Sequence, residues 1–234
     1  MGGRPMSDAP TSPTTQHTGA PPDESLYIGR DLAWLDFNSR VLAQAQSADR
    51  PAFDRIRFLA ISESNLDEFF MKRVALLRRR IELGLDKTTH DGLSVRQQLE
   101  AARQRVRDQQ QHQAAAWSDG IRPALDREGV RITAIEDLPP RYQARVDDWF
   151  ERKVFPLLTP LAVDPGHPFP FVSNLSRNFG VLLAEPGEDE PRFARVKIPD
   201  AVPSWVRVPR HGMVGEIQDT TPCRVVRAAE IVRR

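Results

Sequence analysis

Residues 57–81, RFLAISESNLDEFFMKRVALLRRRI, decide how the N-terminal half is read. Phe53, Ile56 and Leu59 recur at spacings of three and predict the inward face of a helix that Pro51 opens, a position where proline's missing N–H costs nothing. Ser62-Glu63-Ser64-Asn65 then interrupts the apolar pattern. Helical periodicity resumes at Leu66, Phe70, Val74, Leu77 and Ile81, and Gly84 is a natural stop. Asn65-Leu66-Asp67-Glu68 therefore reads as a helix start, with Asn65 as cap, Asp67 in the first turn and Glu68 at the reciprocal position.

Working outward, Asp31 to about Ala48 is also helical. Trp34, Phe37, Val41 and Ala45 fall three and four apart beside Leu32, Leu35 and Leu42, with Asp31 as N-cap or first-turn acid. A further helix is expected from Ser94 to Arg127, on Val95, Leu99, Ala102 and Val106, then Ala114, Trp117, Ile121 and Leu125. Gly120 and Pro123 predict a break near residue 120. After Gly129 the texture changes. Val130–Ile132 reads as a strand and 140–155 as an amphipathic helix. A proline-dense stretch runs over 155–171. Residues 178–184, 192–198 and 205–208 read as strands, and 224–234 as a strand running into a helix. The expected class is α+β. An N-terminal α-helical bundle domain (26–128) precedes a truncated, mixed α/β head domain (129–234). Residues 1–25, rich in Pro, Ser, Thr and Gly, are expected to be a disordered tail.

Composition narrows the function classes. The 234 residues carry 33 Lys+Arg against 32 Asp+Glu, so the net charge of +1 argues against a general nucleic-acid binder. The single cysteine, Cys223, excludes a disulfide framework and a cysteine-based zinc site, and it fits a reducing, cytoplasmic setting. No run approaches the ~18 consecutive apolar residues that span a bilayer, so no integral membrane segment is expected. There is no G-x-x-x-x-G-K-[ST], no G-x-G-x-x-G after a strand and no G-x-S-x-G elbow. His17, His90, His112, His167 and His211 are scattered, and none sits in a metal-binding spacing. No catalytic residue and no metal ligand is assigned.

Three stretches carry a family resemblance. The first is Tyr27-Ile28-Gly29-Arg30-Asp31-Leu32-Ala33-Trp34-Leu35-Asp36-Phe37-Asn38, followed by Arg40-Val41-Leu42. The second is Arg57-Phe58-Leu59-Ala60-Ile61 with Ser64-Asn65-Leu66-Asp67-Glu68-Phe69-Phe70 and Arg73-Val74. The third is Phe155-Pro156-Leu157-Leu158-Thr159-Pro160-Leu161-Ala162-Val163-Asp164-Pro165, then His167-Pro168-Phe169-Pro170-Phe171 and Ser173-Asn174-Leu175. In this order and spacing they resemble the N-terminal part of the type 1 polyphosphate kinase family, over about residues 26–209.

The resemblance implies an enzyme that reversibly moves the terminal phosphate of ATP onto inorganic polyphosphate through a phosphohistidine. It implies a helical domain that helps hold the nucleotide base, and a head domain that contributes to self-association. It places the phosphorylated histidine and the magnesium site in later, phospholipase-D-like domains, so this chain alone is expected to be inactive. Its partners would be ATP or ADP and polyphosphate, with a homo-oligomer at full length. A non-catalytic interaction or oligomerisation module is the alternative.

One residue carries over from the family motif. The resemblance implies that the asparagine of N-L-D-E-F, here Asn65, contacts ATP on its base side, and an amide offers the acceptor and donors that an adenine edge requires. Phe69 is a candidate base contact, because Phe70 falls in the expected apolar stripe. Arg78, Arg79 and Arg80 could steer an anion, since residues 71–107 hold ten basic and four acidic side chains. Asp164 beside His167 suggests acid–base chemistry at first sight, but the bracketing prolines favour a fixed backbone shape and a packing role.

Overall fold

A computed structural model describes residues 28–85, 87–164, 166–184, 191–209, 214–215 and 222–234. The tail expected over 1–25 lies outside these residues, as do Tyr27, Pro165, His17 and His211. The chain is a helical region followed by an α/β region. It falls into two compact units, one of residues 1–45 with 57–113, the other of residues 46–56 with 114–234. The expected domain limit at 128/129 differs from this division, which assigns residues 114–128 to the second unit.

In the first unit, α1 (Arg30–Gln46) and α2 (Ala52–Phe69) run antiparallel, as Trp34 stacks on Phe69 while Asn38 meets Ser62 and Asn65. A π-helical turn, Phe70–Val74, joins α2 to α3 (Ala75–Glu82), and α4 (Val95–Ala115) completes the group. The Ser94–Gln97 pair caps α4 reciprocally. Gln97 N–H donates to Ser94 Oγ (3.3 Å) and Ser94 N–H to Gln97 Oε1 (2.8 Å), pairing two donors that a helix start leaves free. The core is Leu35, Leu66, Phe69, Val74, Leu77, Val95, Leu99, Ala102 and Val106.

Several sequence expectations change here. α2 is unbroken through residues 62–65, so Asn65 caps nothing. Phe37 and Phe53, expected inside, are 48% and 54% exposed. The buried line of α1 is instead Asp31, Leu35, Asn38, Leu42 and Ala45. Asp31 is a first-turn acid, and its Oδ1 accepts from Arg73 Nε at 2.7 Å. Phe69 is 2% exposed and Phe70 43%, the reverse of the expected stripe.

Beyond α4, the second unit continues with a π turn, Ala116–Ile121, and α5 (Arg122–Arg127). The break expected near residue 120 takes this form, because Pro123 cannot donate into the regular ladder. A parallel pair follows, β1 (Val130–Ile132) on β6 (Cys223–Arg227), with Val130 opposite Cys223; β5 (Trp205–Val208) flanks β6 antiparallel. A second, antiparallel sheet has the order β2-β4-β3, from β2 (Pro160–Val163), β3 (Asn178–Leu183) and β4 (Arg192–Lys197). β2 lies inside the proline-dense stretch, where no strand is expected from sequence. α6 (Pro140–Trp149) leads through a π turn and a short 3-10 turn into β2, and α7 (Ala228–Arg233) follows β6. The core of this unit gathers Ile135, Leu138, Tyr142, Val146, Val154, Ile198, Val206, Val226 and Ile231.

Candidate functional site

The site around Asn65 is built from side chains that an α-helical core usually excludes. Asn38 and Ser62 have no exposed surface, Gln109 has 2% and Gln113 has 8%. Buried amides are costly unless paired, so their hydrogen bonds have to close.

Two backbone carbonyls set the polarity of the seam, because a carbonyl oxygen can only accept. Gln109 Nε2 donates to the Leu35 carbonyl at 2.7 Å and to Ser39 Oγ at 3.0 Å. That turns Gln109 Oε1 toward Asn38, whose Nδ2 donates to it at 2.9 Å and to the Ser62 carbonyl at 3.1 Å. Asn38 Oδ1 is thereby directed at Asn65 and accepts from Asn65 Nδ2 at 2.9 Å. Gln113 Nε2 closes the far side on Ser62 Oγ at 3.1 Å. Asn65, half-buried, is the outer rung. Among the described residues its Oδ1 accepts no hydrogen bond, and one Nδ2 proton remains unused. Ser62 and Asn65, which read as a break in the apolar pattern, are thus the α2 side of a polar seam.

Phe69 is not available as a ring platform. It is packed against Trp34 with centroids 5.2 Å apart and planes inclined by 15°. With 2% of its surface exposed, it has no open face for a base; the exposed phenylalanine is Phe70.

Arg78, Arg79 and Arg80 do not form one cluster. Arg78 and Arg79 are exposed, and Arg79 Nη1 lies 3.5 Å from Glu82. Arg80 is half-buried and lines a hollow of about 120 Å³ with Arg30, Arg73, Asp31, Thr89 and Asp91. Two carboxylates face three guanidinium groups there, so the hollow is not a bare cationic pocket. Among the described residues no three His, Cys, Asp or Glu side chains converge as a metal site.

Asp164 and His167 form a turn. The His167 ring Nδ1 lies 3.0 Å from Asp164 Oδ1, and the Gly166 and His167 amides donate to the same oxygen at 2.8 and 2.9 Å. The bond from the His167 side chain, then that from the Gly166 amide, hold the Asp164 carboxyl below its ordinary pKa. Both residues are exposed, and the carboxylate's hydrogen bonds close the loop.

The chain is similar to proteins of known family. A model described as the polyphosphate kinase N-terminal domain matches residues 27–133, and one for the polyphosphate kinase middle domain matches residues 141–234. The chain is 45% identical over 204 residues to a polyphosphate kinase of Mycolicibacterium gilvum, covering 87% of this chain and 28% of that protein. It is 43% identical over 185 residues to a polyphosphate kinase of Thermosynechococcus vestitus, covering 79% of this chain and 25% of the relative. A crystal structure of polyphosphate kinase from Porphyromonas gingivalis superposes with a TM-score of 0.71 at 28% identity, over 88% of this chain and 29% of that one. The chain therefore spans about a quarter of the length of the curated relatives it matches. No helix among the described residues is long and apolar enough to cross a membrane. With the two family models in tandem across most of its length, the chain belongs to the polyphosphate kinase family.

Proposed function

We propose that this chain supplies the nucleotide-holding part of an ATP–polyphosphate phosphotransferase. The Asn65 amide contacts the base of ATP, and the terminal phosphate passes to polyphosphate through a phosphohistidine outside residues 1–234. One observation carries the reading. Asn65 ends a hydrogen-bonded polar seam with an acceptor and a donor left for a ligand. A helical bundle has no packing need for four buried polar side chains at one level, and apolar residues there would be at least as stable. Phosphoryl transfer further requires groups that clamp and neutralise the phosphates, and no residue of this chain is assigned that role. The chain alone is accordingly a binder of ATP or ADP with no transfer activity.

Calorimetric titration of ATP into the chain tests this. The native chain gives saturable binding, and Asn65→Ala weakens it by about tenfold, the worth of one or two hydrogen bonds at roughly 1 kcal/mol each. Equal affinity of the two would exclude the role. Asn65→Ala leaves the buried Asn38 Oδ1 without its partner, so it should also cost about 1–2 kcal/mol of stability, only partly offset by the better helix propensity of Ala.

A second reading has its own observation. The second unit holds a groove of about 810 Å³ among Phe150, Phe155, Phe179, Val181, Leu182 and Val232, and Phe169, Phe171 and Leu175 are 61%, 87% and 69% exposed. Apolar exposure on this scale suits an interaction module that self-associates. Sedimentation of the chain across a concentration series tests it, and a strictly monomeric chain would rule it out.

A further inference from the structure

We propose that Asn38 and Gln109 are positioning residues that make Asn65 select a 6-amino purine over a 6-oxo purine. The inference rests on Asn65 contacting the base and concerns what decides the direction of its amide.

An exposed asparagine can rotate its amide by half a turn and exchange donor for acceptor. It then serves an adenine edge, with an N6–H donor beside a ring-nitrogen acceptor, as well as a hypoxanthine edge, with an O6 acceptor beside an N1–H donor. Asn65 lacks that freedom. Turning its amide over would set Asn65 Oδ1 against Asn38 Oδ1, two acceptors at the present 2.9 Å. Asn38 cannot turn to relieve this, because its Nδ2 is held by the Ser62 carbonyl at 3.1 Å and Gln109 Oε1 at 2.9 Å. Gln109 cannot turn either, because its Nε2 is held by the Leu35 carbonyl at 2.7 Å. The carbonyls of Leu35 and Ser62 belong to helix backbone and do not rotate. The chain of amides thus carries a fixed direction from two helices to the outer rung. Asn65 presents Oδ1 to a donor on the ligand, and its second Nδ2 proton to an acceptor. A 6-amino purine satisfies both. A 6-oxo purine sets O6 against Oδ1 and leaves both acceptors unpaired, a mismatch that sites built on hydrogen bonds reject strongly.

ATP and ITP are titrated into the native chain, Asn65→Ala and Asn38→Ala, with circular dichroism to verify folding. The native chain prefers ATP by about tenfold or more, the usual penalty for one unpaired polar group. In Asn38→Ala the Asn65 amide is free to turn, and the preference falls toward equality chiefly through tighter ITP binding, which a merely destabilised site would not give. If Asn65→Ala leaves ATP affinity unchanged, the base contact itself is wrong and the positioning role goes with it. If Asn65→Ala weakens ATP while Asn38→Ala keeps the full preference, the positioning role alone is overturned. Native binding of ATP and ITP with equal affinity also overturns it. A second measurement needs no variant. In the native chain one Asn65 side-chain amide proton, the one given to Asn38, is protected from exchange and hardly moves on adding ATP, while its twin shifts. Equal protection and equal shifts would contradict the fixed direction.

Discussion

Phe69 and Phe70 differ by one position and by nearly everything physical. Phe69 fills the space beside Trp34, and Phe70 stands half in solvent. Phe69→Ala should cost about 3–5 kcal/mol and Phe70→Ala well under 1 kcal/mol, measured by urea unfolding, since only the first opens a cavity. Equal costs would contradict the packing. At Asp164 the expectation concerns pH. Its folded pKa is lowered, so the turn's stabilisation is present above the ordinary carboxylate range and is lost as pH falls through the lowered value. The Gly166 amide resonance should titrate with a midpoint below the ordinary ~3.9 of aspartate, and a midpoint at or above that value would refute the turn. Neither phenylalanine is distinguishable by residue type. At Asp164 the sequence marks only a backbone shape fixed by the flanking prolines, and the hydrogen bonds that close the turn appear in the fold.

Among the elements, the π turns decide which residues face inward. Inward positions in the first unit run Leu66, Phe69, Val74, Leu77, with a step of five between Phe69 and Val74, where the π turn lies. The same step separates the buried Ala116 from Ile121 across the second π turn. A wider turn takes up the additional residue and keeps both ends on the core side. A strict 3.6-residue period must choose Phe70 and Ala114 instead, which is why periodicity alone points to the wrong residues. Polar burial causes the other error. Ser62 and Asn65 break an apolar pattern without breaking a helix, because their partners Asn38, Gln109 and Gln113 come from α1 and α4. Ser94 and Gln97 form a reciprocal cap within four residues, and Ser94→Ala should lower stability by about 1 kcal/mol, read from the shift in denaturation midpoint. No shift would mean that the cap is not formed in solution.

Over the whole molecule, the charges nearly cancel, at 33 basic against 32 acidic, while residues 71–107 carry a local excess of positive charge. If that excess steers a polyanionic ligand, association with ATP slows as salt rises. Replacing Arg78, Arg79 and Arg80 by Ala should flatten the dependence in stopped-flow measurements, whereas an unchanged slope would assign those side chains to ordinary solvation. The α+β class, the helices and strands after Gly129 other than β2, and the motifs that carry the family resemblance were legible in the chain. The class and those elements depend on periodicity or turn chemistry within a dozen or so neighbours, where backbone geometry leaves few choices. Strand β2 escaped because its pairing with β4 supplies the ordering that its own proline-rich residues do not advertise. The direction of the Asn65 amide belongs to tertiary structure alone. It is set by hydrogen bonds between residues 24 to 74 positions apart, and only a folded bundle brings such partners within reach of one another.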